Sequence, residues 1–231
     1  MNARRAIVAC MFAFAAACAS FSSGDAPDAG TGDAAPEADA GSESGMIDGA
    51  DGDAAVDAAP DGPPPCDGDA GCERVVFVSS LTFAPGLGID AGDDLCNELA
   101  RAAGVAPRVA GRTFVAWLSA NGQPAFSRHV HATAPYILVD ETRVAAHWPA
   151  LTSGTLEHAI DLDEQADAAL PSVFTGTTPN GSTGGNTCGS WTAADATSAG
   201  ITGSTSAKSG VWTEYSAATC NVARAIYCIE K

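Results

Sequence analysis

Only part of this chain carries enough large apolar side chains to build a core, and the boundary is abrupt. Residues 19–65 are almost wholly Ala, Asp, Gly, Ser, Pro and Glu. After Phe21 they hold no aromatic residue, and their large aliphatic side chains are confined to Met46, Ile47 and Val56. Such a segment buries too little apolar surface to offset the entropy of ordering its backbone, so it is expected to be disordered. Its Ala content favours helix, but Gly, Pro and Asp interrupt every run. A flexible chain of this length spans on the order of 40 Å end to end, and self-repulsion stretches it further. The Asp units DAPDAG and DGADGDAAVDAAPDG lack the fixed ligand spacing of a calcium loop.

The charge follows the same boundary. Of the formal net charge of −17, −11 falls on residues 1–72 and −6 on residues 73–231. A net-negative foldable part is not expected to bind nucleic acid, which needs clustered Lys and Arg. No apolar run reaches the roughly 18 residues of a membrane span.

The first residues read MNARRAIVACMFAFAAAC. Arg4 and Arg5 form a positive start, Ala6–Ala17 an apolar stretch of signal-peptide length, and small residues precede Cys18. A cysteine placed so resembles the bacterial lipobox, with Ala15 where a Leu is usual. The resemblance implies removal of residues 1–17 and lipidation of Cys18, hence a chain anchored to a membrane through lipid. Ala19 and Ser20 follow, not Asp, which by the same resemblance implies the outer membrane, at the cell surface or its periplasmic face. The bland alternative is a plain signal peptide. The expected organisation is a signal peptide over 1–17, a lipid-anchored linker over 18–65 and a folded domain over 66–231.

The chain has eight cysteines. With Cys10 removed and Cys18 acylated, six remain: Cys66, Cys72, Cys96, Cys188, Cys220 and Cys228. An even number in an exported chain implies disulfides, and sequence alone leaves their connectivity open. Cys66 and Cys72 flank CDGDAGC, a short acidic turn, and are natural partners. No two cysteines form a CxxC and the histidines lie far from them in sequence, so no metal site is expected there.

Within the domain, RVVFVSS reads as a strand by its β-branched and aromatic content. AGDDLCNELARAAG has apolar residues at helical spacing, with Asp90 as the expected N-cap and Gly104 as the stop. Cys96, beside Leu95 and one turn from Leu99, is placed to face the core. GRTFVAWLS and APYILVD read as strands; after Asp140 come short strands and Gly/Ser/Thr loops, and RAIYCIE closes the chain as the last strand. The expected class is α+β.

Five segments in order carry a family resemblance: GRTFVAWLS, PYILVDETRV with HWPALTSG, SVFTGTTPNG, TCGSWTA, and ATCNVARAIYCIEK. From about Gly111 to Glu230 the chain resembles endostatin, the C-terminal domain of certain collagens, and its bacterial relatives within the C-type-lectin-like fold. That resemblance implies long loops and nested disulfides, Cys96 with Cys228 and Cys188 with Cys220. In the chain-entropy account these loops contribute about 4–5 and 3–4 kcal/mol.

The same resemblance directs attention to the loops between about Thr175 and Tyr215, where Asn180, Trp191, Trp212 and Glu214 are the candidate ligand-binding residues. The tryptophans also read as core packing. Thr178-Pro179-Asn180 and Trp212-Thr213-Glu214 stand where C-type lectins place calcium and sugar ligands, but with one carboxylate they do not make a calcium site. With seven Arg in the domain and no His before His129, neither heparin nor zinc binding is carried over from endostatin. His129 and His131 would share a face if they lay on a strand; the bland reading is surface or loop histidines. Asp161, Asp163, Glu164 and Asp167, with Asp140 and Glu141, are either a cation site or a solvated loop. No nucleophile elbow, HExxH helix or phosphate cradle is present, so no catalytic residue, metal or cofactor is expected. The expectation is a non-enzymatic binding or adhesion module for a protein or glycan. The alternatives are a structural envelope lipoprotein without specific ligand and, third, an envelope hydrolase.

Overall fold

Two apolar runs, one near each end of the domain, lie side by side. In the computed structural model, which describes residues 72–231, RVVFV forms β1 (Arg74–Val78). There follow α1 (Asp90–Leu99), β2 (Phe114–Ala116), α2 (Ala125–Arg128), β3 (Tyr136–Ile137), β4 (Arg143–Ala145), α3 (Trp148–Leu151), β5 (Ser172–Phe174), β6 (Ala199–Ser204), β7 (Ser216–Thr219) and β8 (Ala225–Glu230). The signal segment, Cys18, the linker and Cys66 lie outside the described residues. No helix of the described residues is long and apolar enough to cross a membrane.

The domain is mixed α and β, built on an eight-stranded sheet in the order β4-β3-β1-β8-β5-β6-β7, with β2 also on β8. The first and last strands pair antiparallel, Val76 opposite Ile229 and Phe77 opposite Cys228. On the other edge of β8, its C-terminal half takes β2 antiparallel and its N-terminal half takes β5 parallel. Both faces of this centre are covered, which is why β1 and β8 read as continuous apolar runs rather than alternating ones. Val75, Phe77, Ile226 and Cys228 pack on one side with Cys96 and Leu99 of α1. Val76, Val78, Tyr227 and Ile229 pack on the other with Trp117, Trp148 and Trp212.

α1 begins one residue away from expectation. Ile89 stands at its N-cap without a side-chain hydrogen bond, and Asp90 is its first residue. Asp90 and Asp93 lie in the first turn, where the helix dipole favours negative charge. Asp93 is further occupied: its Oδ1 accepts from Ala116 N at 2.8 Å, fastening α1 to β2. The helix ends at Leu99, before Gly104, which has φ +87° in the turns that follow. The middle strands are shorter than their apolar stretches suggested. β2 keeps three residues and β3 two, because the backbone then turns into loops whose bonds run elsewhere: Ser119 N donates to Thr175 O and Leu138 N to Thr142 O.

Cys96 and Cys228 are disulfide-bonded, Cα atoms 5.6 Å apart, joining α1 to β8. Cys188 and Cys220 form a second bond, with Cα atoms 5.7 Å apart. Cys72 is also oxidised. The chain ends of the domain are tied again by Glu230, which accepts from Val75 N at 2.8 Å and from Arg112 at 2.8 and 2.9 Å.

Candidate functional site

Among the described residues a groove of about 580 Å³ lies beside α2 and α3, walled by Phe126, His131, His147, Trp148, Pro149 and Thr152. Its walls come from three separate stretches, and each is held by identifiable bonds. Ala125 N donates to Ser119 Oγ at 2.9 Å, starting α2 directly after Pro124. At the end of α2 the Arg128 guanidinium donates to Ala116 O, Leu118 O and both Asp93 oxygens. Tyr136 Oη donates to Val130 O, and Trp148 N donates to Ala132 O at 2.9 Å, drawing α3 onto the segment that follows α2. Burial pushes the Tyr136 hydroxyl up to about 12, so it stays a donor.

The rings form one cluster. His131 lies nearly parallel on Trp148, centroids 4.5 Å apart and planes at 13°. Phe126 stands edge-on to His131 at 4.3 Å and is 45 % exposed. Behind Trp148 lie His129, Trp117 and Trp212, successive neighbours at ring separations of 5–6 Å. His131 Nε2 is 2.6 Å from Phe126 O. A carbonyl only accepts, so Nε2 carries the proton and Nδ1 of the neutral ring is a bare acceptor. His147 has the opposite sense. Its Nδ1 accepts from Ala150 N at 3.2 Å as the N-cap of α3, which places the neutral ring's proton on Nε2.

His129 and His131 would share a face only on a strand, and the plainer reading makes both surface or loop histidines. The segment is not a strand and the two part: His131 is exposed, while His129 is 7 % exposed and neither ring nitrogen has a hydrogen-bond partner. Burial, with the Arg128 charge adding to it, holds His129 down to about 3, so it is neutral at ordinary pH; the Ala116 carbonyl works the other way without closing a hydrogen bond. Trp148 Nε1 is buried without a partner as well. Unsatisfied polar atoms gathered in one aromatic cluster are uncommon in native interiors.

The loop residues proposed from sequence differ in exposure, two of them buried and two at the surface. Trp191 and Trp212 are fully buried. Trp191 Nε1 donates to Ser119 O at 2.9 Å, and Trp212 lies tilted between Trp117 and Tyr227, so their rings serve packing. Asn180 is exposed at the tip of a turn, where its Oδ1 accepts from Thr178 Oγ1 and Ser182 N. Glu214 is exposed, with its backbone N bonded to Gly210 O. The Asn180 turn does adjoin the groove, since Phe126 N donates to Gly181 O at 2.9 Å. Buried hydroxyls anchor the base of these loops: Ser119 Oγ is 2.9 Å from Thr177 Oγ1, Thr175 Oγ1 donates to Thr213 O, and Trp117 Nε1 donates to Thr213 Oγ1.

The acidic run divides: Asp140, Glu141 and Asp167 are exposed, as a solvated loop would have them, whereas Asp163 and Glu164 are buried. Glu164 is buried, accepting from Ser80 N at 3.0 Å and from Ser80 Oγ, and Asp163 Oδ1 accepts from Gln165 N and Asp167 N. Asp140 accepts from Thr142 N, and Glu141 pairs with Arg108 at 2.6 Å. Among the described residues no three His, Cys, Asp or Glu side chains come together as a metal would need. The groove itself was not visible in the sequence, because Phe126, His131 and His147 sit on different segments; the HVH pair and the tryptophan turn were its only traces. No protein-family model matches the chain, and no curated protein matches it in sequence.

Proposed function

We propose that this chain is an exported lipoprotein that presents a non-enzymatic binding module, of C-type-lectin-like and endostatin-like fold, to a protein or glycan ligand. The observation that carries the binding role is the groove of Phe126, His131, His147 and Trp148, whose lining holds no Asp, Glu, Lys or Arg. Such a lining offers shape, ring surface and hydrogen bonds, the means of recognition, and no carboxylate pair or activated nucleophile. The fold reading is supported by the antiparallel pairing of first and last strands and by a bond from α1 to β8 beside a second one within the loops. The anchor reading rests on the sequence around Cys18 and gives the module a lipid-held tether. Immobilised full-length chain, probed with a glycan array and with purified envelope proteins, tests the binding role. Saturable binding of one ligand class is the expected result; turnover of a wall polymer would replace this reading with the hydrolase alternative. A mass measurement of the N-terminal peptide tests the anchor.

A further inference from the structure

We infer that the groove beside α2 and α3 is the binding site and that its ligand is an uncharged sugar ring; this rests on the binding-module reading and gives its ligand a class and a place. A groove of about 580 Å³ lies within the range of small-molecule sites, and its rim brings together two kinds of surface. The first is aromatic. Phe126 is 45 % exposed in spite of its size, and it stands against the exposed His131 ring, which Trp148 backs. Helical packing does not need Phe126 there: α2 buries Ala125, while Phe126 faces outward.

The second surface is a pair of imidazole edges with opposite hydrogen-bonding sense, fixed by their backbone partners. His131 offers a bare Nδ1, because its Nε2–H is used by Phe126 O. His147 offers an Nε2–H, because its Nδ1 is used by Ala150 N. A ligand that suits both must donate to one and accept from the other. A proline-rich peptide docks well on aromatic grooves but brings carbonyl acceptors and few N–H donors, so it leaves His131 Nδ1 unmatched. A phosphorylated or sulfated ligand finds no Arg or Lys in the lining. A lipid tail finds rings but wastes both imidazole edges. A pyranose meets every condition: one C–H face to lie on Phe126, and hydroxyls, each both donor and acceptor, around its edge.

The site has a partner surface for longer chains. The exposed turn of Asn180 begins where Phe126 N bonds Gly181 O, so a second ring extending from the groove would run along Thr178–Ser182. Behind the floor, His129 and Trp148 Nε1 lack partners, a second mark that this cluster is not arranged for packing alone.

The test uses the full-length chain and an array of neutral oligosaccharides built from glucose, galactose, mannose and N-acetylglucosamine. The best binder is then titrated while the ring signals of His131 and His147 are followed by NMR. Both rings are expected to shift, and Phe126→Ala is expected to weaken binding roughly tenfold or more with little change in thermal stability. His147→Asn keeps an oxygen able to cap α3 but removes the Nε2 donor, and is expected to weaken binding several-fold. The inference is overturned when no neutral sugar binds, or when a proline-rich peptide moves the ring signals and no sugar does. It is equally overturned when a sugar binds with both rings unmoved and Phe126→Ala as tight as the parent. In that last case the binding module stands and its site lies elsewhere; binding of no ligand of any class would end both readings.

Discussion

Arg128 reaches Asp93 with both carboxylate oxygens in range, at 2.8 and 2.7 Å, across 35 residues of sequence. The same guanidinium donates to the carbonyls of Ala116 and Leu118, so one side chain joins α1, the end of β2 and α2. The pair is mostly buried, with side-chain exposures of 10 % and 30 %. Removing Arg128 takes four donated bonds away, leaving Asp93 with Ala116 N and Ala116 O with Leu118 N, so Arg128→Ala is expected to cost about 2–4 kcal/mol in urea unfolding. Arg128→Lys restores the charge but not the planar fork, and is expected to recover less than half of that loss. Full recovery by lysine would show that charge alone matters here.

His129 sets a pH dependence whose sign follows from its burial. The native ring is held down to about 3, whereas the unfolded chain takes up its proton near 6.5. Between those values the unfolded state binds a proton the native state refuses, so stability contributed by the neutral ring is present above about pH 6.5 and lost as pH falls. The slope is up to about 1.4 kcal/mol per pH unit. Arg128 and His131 are the charged and titratable neighbours that act on the ring, Arg128 the stronger. His129→Phe removes the proton site and the two unpartnered nitrogens together. The variant is expected to match or exceed the parent at pH 7 and to gain about 2–3 kcal/mol on it at pH 4.5. Parallel unfolding curves for the two proteins across this range would mean that His129 is not the group responsible.

Much of the centre of this domain was legible in the sequence, for a physical reason. β1, β8 and the Cys96 face of α1 are covered on all sides, so their apolar density and period survive as a one-dimensional signal. β2, β3 and β4 are brief pairings between turns, and their apolar residues fill the core from loop positions that no period marks. Leu118 and Leu138 are examples, both buried and both beyond a strand end. The burial of Glu164 was hidden because its donors belong to Ser80, 84 residues earlier. The groove was hidden likewise. A tautomer fixed by Phe126 O or Ala150 N is a three-dimensional fact that the letters His131 and His147 do not contain.

The two described disulfides are expected to differ in value for a reason beyond loop length. Cys96–Cys228 closes a separation of 132 residues and joins two buried elements in relaxed conformations, so Cys96→Ala/Cys228→Ala is expected to lose about 5 kcal/mol by chain entropy. Cys188–Cys220 spans 32 residues, for which the same relation gives about 4 kcal/mol. Yet Cys188 opens a left-handed turn: Cys188, Gly189, Ser190 and Trp191 have φ of 49°, 58°, 60° and 67°. Each non-glycine residue there costs roughly 1–2 kcal/mol. Cutting this bond frees part of that strain, so Cys188→Ala/Cys220→Ala is expected to lose only about 1–3 kcal/mol. Equal losses in the two double variants, measured by urea unfolding under non-reducing conditions, would show that the turn is held by Trp191 rather than by the bond.

Two positions should respond to glycine in opposite directions. Gly203 in β6 pairs with Val173 and passes so close to the 3-10 turn at Gly210–Trp212 that a Cβ there would sit 1.9 Å from Trp212 O. The obstacle is backbone, and Thr175 Oγ1 donates to the next carbonyl, Thr213 O, so it cannot swing aside without breaking the buried hydroxyl network. Gly203→Ala is therefore expected to cost more than about 3 kcal/mol, or to leave the chain unfolded. Ala166, in the turn between Asp163 and Asp167, is exposed and has φ +68°. Its methyl group is the source of its strain, and Ala166→Gly removes that group without opening a cavity. The usual entropic penalty of glycine is then outweighed, and the variant is expected to be more stable by about 0.5–1 kcal/mol. Thermal and urea unfolding of both variants checks the pair; a destabilised Ala166→Gly would mean that the turn is set by the bonds to Asp163 Oδ1 strongly enough that its backbone conformation carries no cost.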